Sequence, residues 1–155
     1  MIAVLQRVNS AILYIYDNVN DPQNKLKYSS INEGLLILIG IANGDTEQDI
    51  NYLIDKIKKL RIFNDSDGKM NLSISDIGGD IMAVSQFTLL ANLKKGRRPS
   101  FINASKPEKS EILYNLFIKK LKELPLKIKT GKFGANMDIE LINNGPATFI
   151  LDSNN

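Results

Sequence analysis

A chain of 155 residues, 43% hydrophobic and 24% charged, can bury roughly 70% of its unfolded surface around one core, which fits a single domain over residues 1–155. No apolar run nears the roughly 20 residues of a membrane-spanning helix, and the opening Met1-Ile2-Ala3-Val4-Leu5 is interrupted by Gln6, Arg7, Asn9 and Ser10 instead of continuing as an export signal, so a cytoplasmic chain with no membrane partner is expected. With no Cys there is no disulfide framework, and a net charge of +3 with pI near 9.0 permits an anionic partner such as RNA without requiring one.

Residues 2–8 and 11–16 read as two short strands around Asn9-Ser10, pairing as a hairpin. The polar stretch Asp17 to Ser30 contains Asp21-Pro22 and reads as an inserted loop or extended hairpin tip, followed by an apolar strand over Leu35 to Ile41. Asp45 as a cap with Gln48 three positions on, then Ile50, Leu53, Ile54, Ile57 and Leu60 at helical spacing, predicts a helix with one buried face. Ser105-Lys106-Pro107-Glu108 repeats the capping pattern, and Ile112, Leu113, Leu116, Phe117 and Leu121 form the apolar stripe of a second helix. The segments Asp80 to Leu90, Leu126 to Lys129, Met137 to Ile142 and Ala147 to Leu151 are short, bounded by Gly, Asn or Pro, and read as strands. Strands in consecutive groups around two main helices predict an α+β layered fold with mostly antiparallel sheets.

The missing residue types narrow the chemistry. Without His or Cys, the common zinc sites, Ser-His-Asp triads, Cys-His dyads and histidine general bases are excluded. Neither a G-x-x-x-x-G-K-[ST] run nor a strand-linked G-x-G-x-x-G is present, which removes the usual cradles for nucleotides and dinucleotides. Asn64-Asp65-Ser66-Asp67-Gly68 lacks the flanking carboxylates of a calcium loop and reads as a turn. No metal and no cofactor are expected. What remains is work done by hydroxyls, amides, main-chain N–H groups and positioning, which suits an already activated ester, because one placed oxyanion donor contributes about 10²- to 10³-fold.

Two motifs draw attention together. Ser85-Gln86-Phe87-Thr88-Leu89 alternates hydroxyl and amide groups around an aromatic ring, and Asn143-Asn144-Gly145-Pro146-Ala147-Thr148 sets a Gly-Pro step between two apolar runs. Each alone is compatible with an ordinary strand or turn. In this order the two motifs closely resemble the D-aminoacyl-tRNA deacylase family. The resemblance extends over nearly the whole chain, through Gln6-Arg7-Val8, Gly44-Asp45-Thr46 with Asp49, Leu60 to Phe63, Gly68 to Ser73, Lys95 to Phe101 and Gly131 to Met137. It departs from the family at the polar insert over about 17–30 and at Asn144, where the family more often has Asp.

The resemblance implies a homodimer of β-β-α layered sandwich subunits that hydrolyses the ester joining a D-amino acid, or glycine mischarged on tRNA-Ala, to the 3′ end of tRNA. It implies that Ser85, Gln86, Phe87 and Thr88 surround the scissile carbonyl, with main-chain N–H groups as oxyanion donors. It further implies that Gly145 and Pro146, joined by a cis bond, enter the partner subunit's pocket and form a wall that excludes an L side chain. Discrimination of about 10³-fold needs only about 4 kcal/mol. Arg7 is assigned to bracing that wall, and Phe133 and Met137 to the terminal adenosine. Lys94, Lys95, Arg97 and Arg98 are assigned to phosphates of the acceptor stem. Thr88 has no evident base to activate it as a nucleophile, so water assisted by the tRNA's own 2′-hydroxyl fits the inventory better. A deacylase directed at L-alanyl-tRNA and a non-catalytic tRNA-binding homologue stay open at this point.

Overall fold

The computed structural model describes residues 1–16, 24–94 and 96–154. Its elements in chain order are β1 (Ile2–Tyr16), β2 (Leu26–Ile31), β3 (Gly34–Gly40), α1 (Glu47–Lys59), β4 (Arg61–Asn64), β5 (Met70–Ser73), α2 (Ile74–Ile77), β6 (Asp80–Ser85), a 3-10 helix (Phe87–Leu90), α3 (Pro107–Leu121), β7 (Ile128–Thr130) and β8 (Asn136–Asp152). The main sheet runs β2-β1-β3-β6-β7, with β8 on the other edge of β1. The pairings of β1 with β2, β3 and β8 are antiparallel, whereas β3 with β6 and β6 with β7 are parallel, so the α+β fold carries a mixed sheet. The parallel pairs follow from two crossovers, each containing a long helix, which grouping strands by their sequence neighbours does not reveal.

Residues 2–16 form one strand, not a hairpin. Its register against β8 shifts between Gln6 and Val8 and again between Val8 and Ser10, so the polar Asn9-Ser10 step is absorbed as an irregularity inside a long strand. The partner across the hairpin is instead β2 followed by β3, which line the same edge of β1 from Ile15↔Leu26 to Ile2↔Gly40. Of the polar segment 17–30, residues 17–23 lie outside the described residues, and Leu26 to Ser30 belong to β2, antiparallel to β1, which fits the extended hairpin and not the loop. The two predicted C-terminal strands likewise merge into β8.

The continuous apolar run Gly34-Leu-Leu-Ile-Leu-Ile-Gly40 is explained by burial on both sheet faces. Leu35, Ile37 and Ile39 meet Ile50, Leu53 and Ile57 of α1 and Leu113, Phe117 and Leu121 of α3 in the larger core. Leu36 and Leu38 meet Val8, Ala11, Leu13, Met82 and Val84 in a second core. Each fully buried Leu or Ile contributes roughly 1.5–3 kcal/mol, so β3 is held from both faces.

Helix α1 begins one residue later than predicted. Thr46 is the cap, closed by Asp49, while Asp45 is buried and accepts from Ala42 N at 2.6 Å and from the Met1 amino group at 2.7 Å. Helix α3 starts at Pro107, with Lys106 at the cap position and no side-chain cap, and Ser105 lies outside it. Its buried face is Leu113, Tyr114, Phe117, Ile118 and Leu121, so Ile112, predicted inward, points to solvent. Asp65 to Gly68, following β4, is a turn organised by Asp65, which accepts from Asp67 N and Lys69 N at 2.9 Å each. Among the described residues, no helix is long and apolar enough to cross a membrane.

Candidate active site

The parallel strands β3 and β6 end side by side, with Ile39 opposite Ser85. The chain does not continue as a strand beyond Ser85, as the sequence predicted. Gln86 N donates to Ile39 O at 2.7 Å, and the backbone then turns into the 3-10 helix, with Leu89 N donating to Gln86 O at 3.2 Å and Ala91 N to Thr88 O at 3.1 Å. Gly40 makes room for this turn, since a Cβ there would overlap the Leu90 side chain and stand 3.0 Å from Leu89 Cβ. Phe87 and Thr88, as the first residues of a 3-10 helix without a side-chain cap, have N–H groups with no partner inside the turn.

A cleft of about 800 Å³ opens at this strand end. Its floor is Ile39, Ile41, Val84 and Ser85, and Gln86 and Phe87 stand at one side. A second wall comes from residues 101–110, tied to the end of β3 by Ser105 N to Ile41 O and Asn43 N to Asn103 O, both 2.9 Å. A third wall is formed by Phe133 to Met137 with Ile139 and Tyr16. Among the described residues no carboxylate lines the space, and Lys106 is the one formally charged side chain in the lining.

The structure therefore gathers Ser85, Gln86, Phe87, Phe133 and Met137 around one cleft. Thr88 is exposed and outside the lining, but Gln86 Nε2 donates to its Oγ1. Phe133 packs against Tyr114, ring centroids 5.8 Å apart, and the Tyr114 hydroxyl donates to Ala83 O at 2.9 Å. Burial holds that hydroxyl well above the ordinary phenol value of 10.0. Met137 lies over Gly131, where a Cβ would come within 2.7 Å of its sulfur.

Arg7, Gly145 and Pro146 are not among the residues lining this cleft. In the β1–β8 register Gln6 faces Thr148 and Val8 faces Asn143, so Asn144, Gly145, Pro146 and Ala147 all stand opposite Arg7 alone and bulge from the ladder. The Gly145–Pro146 peptide bond is cis, and both residues are exposed. Arg7 is buried and donates from Nε to Asn144 O at 3.0 Å, and from Nη1 to Ile62 O at 2.5 Å and Asn64 Oδ1 at 3.3 Å. Arg97 and Arg98 are exposed on an arch closed by the Asn92–Ser100 bridge, while Lys95 lies outside the described residues.

Sequence reasoning missed Tyr16, Phe101, Ser105, Lys106 and Ser110 as cleft residues. Only Phe101 carried a signal, as the end of the Lys95 to Phe101 stretch. The others are brought in by tertiary packing.

Fold and cleft together define an α+β protein that presents hydroxyl, amide and main-chain groups to an apolar-walled space. A family profile described as D-Tyr-tRNA(Tyr) deacylase matches residues 4–152, and the chain belongs to that family. It is 48% identical to the D-aminoacyl-tRNA deacylase of Natranaerobius thermophilus over 99% of this chain and 98% of the relative. It is 55% identical to a Bacillus subtilis protein named an inactive D-aminoacyl-tRNA deacylase, over 79% of this chain and 93% of that one. Among solved structures it is similar to the c-Myc DNA Unwinding Element Binding Protein, with a TM-score of 0.86, 37% identity and 98% of each chain covered.

Proposed function

We infer that the protein hydrolyses the ester of D-aminoacyl-tRNA, releasing the free D-amino acid and tRNA. The observation that carries this is the composition of the cleft. Where β6 ends, its polar groups are Ser85, Gln86 and the first N–H groups of the 3-10 helix, and the other polar lining residues are Tyr16, Ser105, Lys106, Ser110 and Asn136; among the described residues no carboxylate lines it, and the chain has no His or Cys. Such a site suits an ester that needs oxyanion stabilisation and positioning more than a protein base. In this mechanism the Phe87 and Thr88 N–H groups receive the developing oxyanion, and Ser85 and Gln86 orient the carbonyl. Water, assisted by the tRNA's 2′-hydroxyl, attacks the carbonyl carbon. The bond to the ribose O3′ breaks, and that oxygen leaves with a proton. Phe133 and Met137 hold the terminal adenosine.

The finer features follow the family. Two copies of a single layered β-β-α domain associate, and the exposed bulge at Gly145-Pro146 enters the partner's cleft, where its main chain excludes an L side chain. Its exposure and its separation from the cleft of its own chain support this, as does the Arg7 brace. Glycyl-tRNA mischarged on tRNA-Ala passes the same wall, since glycine has no side chain to exclude. Lys95, Arg97 and Arg98 contact tRNA phosphates, and the work is cytoplasmic.

The inactive Bacillus subtilis relative favours a second reading, a tRNA-binding homologue without turnover. Matched hydrolysis assays on D- and L-aminoacyl-tRNA separate the two. D-selective release with L-esters spared is expected. Tight tRNA binding with neither ester hydrolysed replaces the first reading with the second.

A further inference from the structure

Two phenylalanines stand in water at the mouth of the cleft. Phe87 is 59% exposed and Phe101 37%, and both belong to the lining. Their centroids are 4.9 Å apart with planes at 66°, an edge-to-face pair. They come from unrelated segments, one opening the 3-10 helix after β6 and the other following the Asn92–Ser100 bridge. An edge-to-face pair satisfies the edge of one ring and the face of the other, which leaves ring surface open to a further flat partner.

The charged side chains described on the adjoining arch are all cationic. The arch that ends at Phe101 is closed by Asn92 N to Ser100 O at 2.7 Å and by the reciprocal bond at 3.1 Å, and it carries Lys94, Arg97 and Arg98, all exposed. Exposed aromatic surface beside a cationic arch is the combination that holds single-stranded nucleic acid, by stacking on bases and neutralising phosphates. Resting on the function proposed above, the terminal nucleoside occupies the depth of the cleft near Phe133 and Met137, so the preceding nucleotide must pass the mouth.

We propose that Phe87 and Phe101 form a stacking platform for the base of the penultimate nucleotide of the tRNA 3′ strand, with the arch cations on its phosphates. The platform reads no sequence, because every base offers a π face. It adds affinity for the strand outside the pocket of the terminal nucleoside.

The test is a double-mutant cycle on binding, which needs no hydrolysis. The probe is a short uncharged RNA with the tRNA 3′ sequence, carrying a fluorescent pyrimidine analogue or an abasic residue at the penultimate position. Removing that base is expected to weaken binding to the wild-type chain about tenfold. The same removal should cost under about twofold in Phe101→Ala and in Phe101→Leu, which keeps apolar bulk without a π face. Phe101→Trp should restore the dependence, and the analogue's fluorescence should be quenched only where the platform is intact. Equal costs in wild type and variants, or no cost in wild type, overturn the proposal. So does a shift in sedimentation of Phe101→Ala without loss of base dependence, which would mean that a second copy covers the rings. Base-dependent binding with no ester hydrolysis sinks the proposed function and leaves the platform. D-selective hydrolysis with no base dependence does the reverse.

Discussion

The cleft and the β8 bulge are held in place by different forces. Under the cleft lie the ends of β3 and β6, with Ile39 and Val84 almost fully buried, so its geometry is inherited from the apolar packing of two cores. The bulge sits at the surface and is fixed by directed polar bonds. These are the bond from Arg7 Nε to Asn144 O, with Arg7 anchored in turn to Ile62 O and Asn64 Oδ1, that from Asn144 Nδ2 to Asn9 Oδ1 at 2.8 Å, and those joining Gln6 to Asn143 and Thr148. Packing tolerates small shifts and spreads them, whereas hydrogen bonds to one guanidinium fix a position and fail together. A change under the cleft should therefore lower stability and activity in proportion. A change at the bulge can separate them.

Arg7→Ala should break the comparison most sharply. It removes three bonds at once and strands the Ile62 and Asn144 carbonyls, at about 3–4 kcal/mol given the usual worth of charged hydrogen bonds. Urea unfolding should show that loss as a lower midpoint. Arg7→Lys sharpens the point, because an ammonium keeps the charge but not the fork. It should recover much of the stability while D-selective hydrolysis stays depressed. Recovery of both together would mean that the bulge needs only a charge beneath it.

Gly40→Ala is the matching change under the cleft. Its Cβ would press on Leu89 and Leu90 and push the 3-10 turn off β3, at about 1–3 kcal/mol by the usual cost of overpacking. Hydrolysis and melting temperature should fall in step. Lost activity at unchanged stability would show that the turn moves independently of the core.

Tyr114→Phe is smaller, about 1 kcal/mol for one buried hydrogen bond at neutral pH. Its sign with pH is fixed. Burial raises the folded-state value of this hydroxyl, so the folded chain holds the proton more tightly than the unfolded chain. That contribution is complete below the ordinary value of 10.0 and is lost as pH rises above it. Stability curves of wild type and Tyr114→Phe should converge above about pH 10, and parallel curves would mean that Tyr114 is not the group being titrated.

The same contrast decides what was legible in the sequence. The apolar strand at β3 and the buried face of α1 follow from composition and periodicity, since local spacing alone places Ile50, Leu53, Ile54 and Ile57, whereas the same spacing puts the exposed Ile112 of α3 on the wrong side. In the sequence both long strands look broken, because Asn9-Ser10 and Asn143 to Pro146 resemble turn residues. In the fold, β1 and β8 absorb them as irregularities that only the partner strand makes possible. The strand after Asp80 was read too long, since alternation through Thr88 does not reveal that Gly40 admits a turn against β3. Ser85, Gln86 and Phe87 were found through a motif, whereas Tyr16 and Ser110 reach the cleft from distant segments with no local signature.

Thr88→Ala carries the smallest expected effect and the most mechanistic information. The hydroxyl is exposed, stands outside the cleft lining and accepts from Gln86 Nε2, and among the described residues no cleft side chain is a carboxylate that could take its proton, nor does the chain have an imidazole. What residue 88 offers the reaction on this geometry is its main-chain N–H, and alanine keeps that group. The substitution frees the Gln86 amide to reorient, so single-turnover hydrolysis of D-aminoacyl-tRNA should fall by less than about tenfold, well short of the 10²- to 10³-fold that follows loss of one oxyanion donor. A drop beyond about 10³-fold with folding and tRNA binding intact would exceed the loss of any single donor. The hydroxyl itself would then have to be the attacking group, and the 2′-hydroxyl mechanism would give way to covalent catalysis.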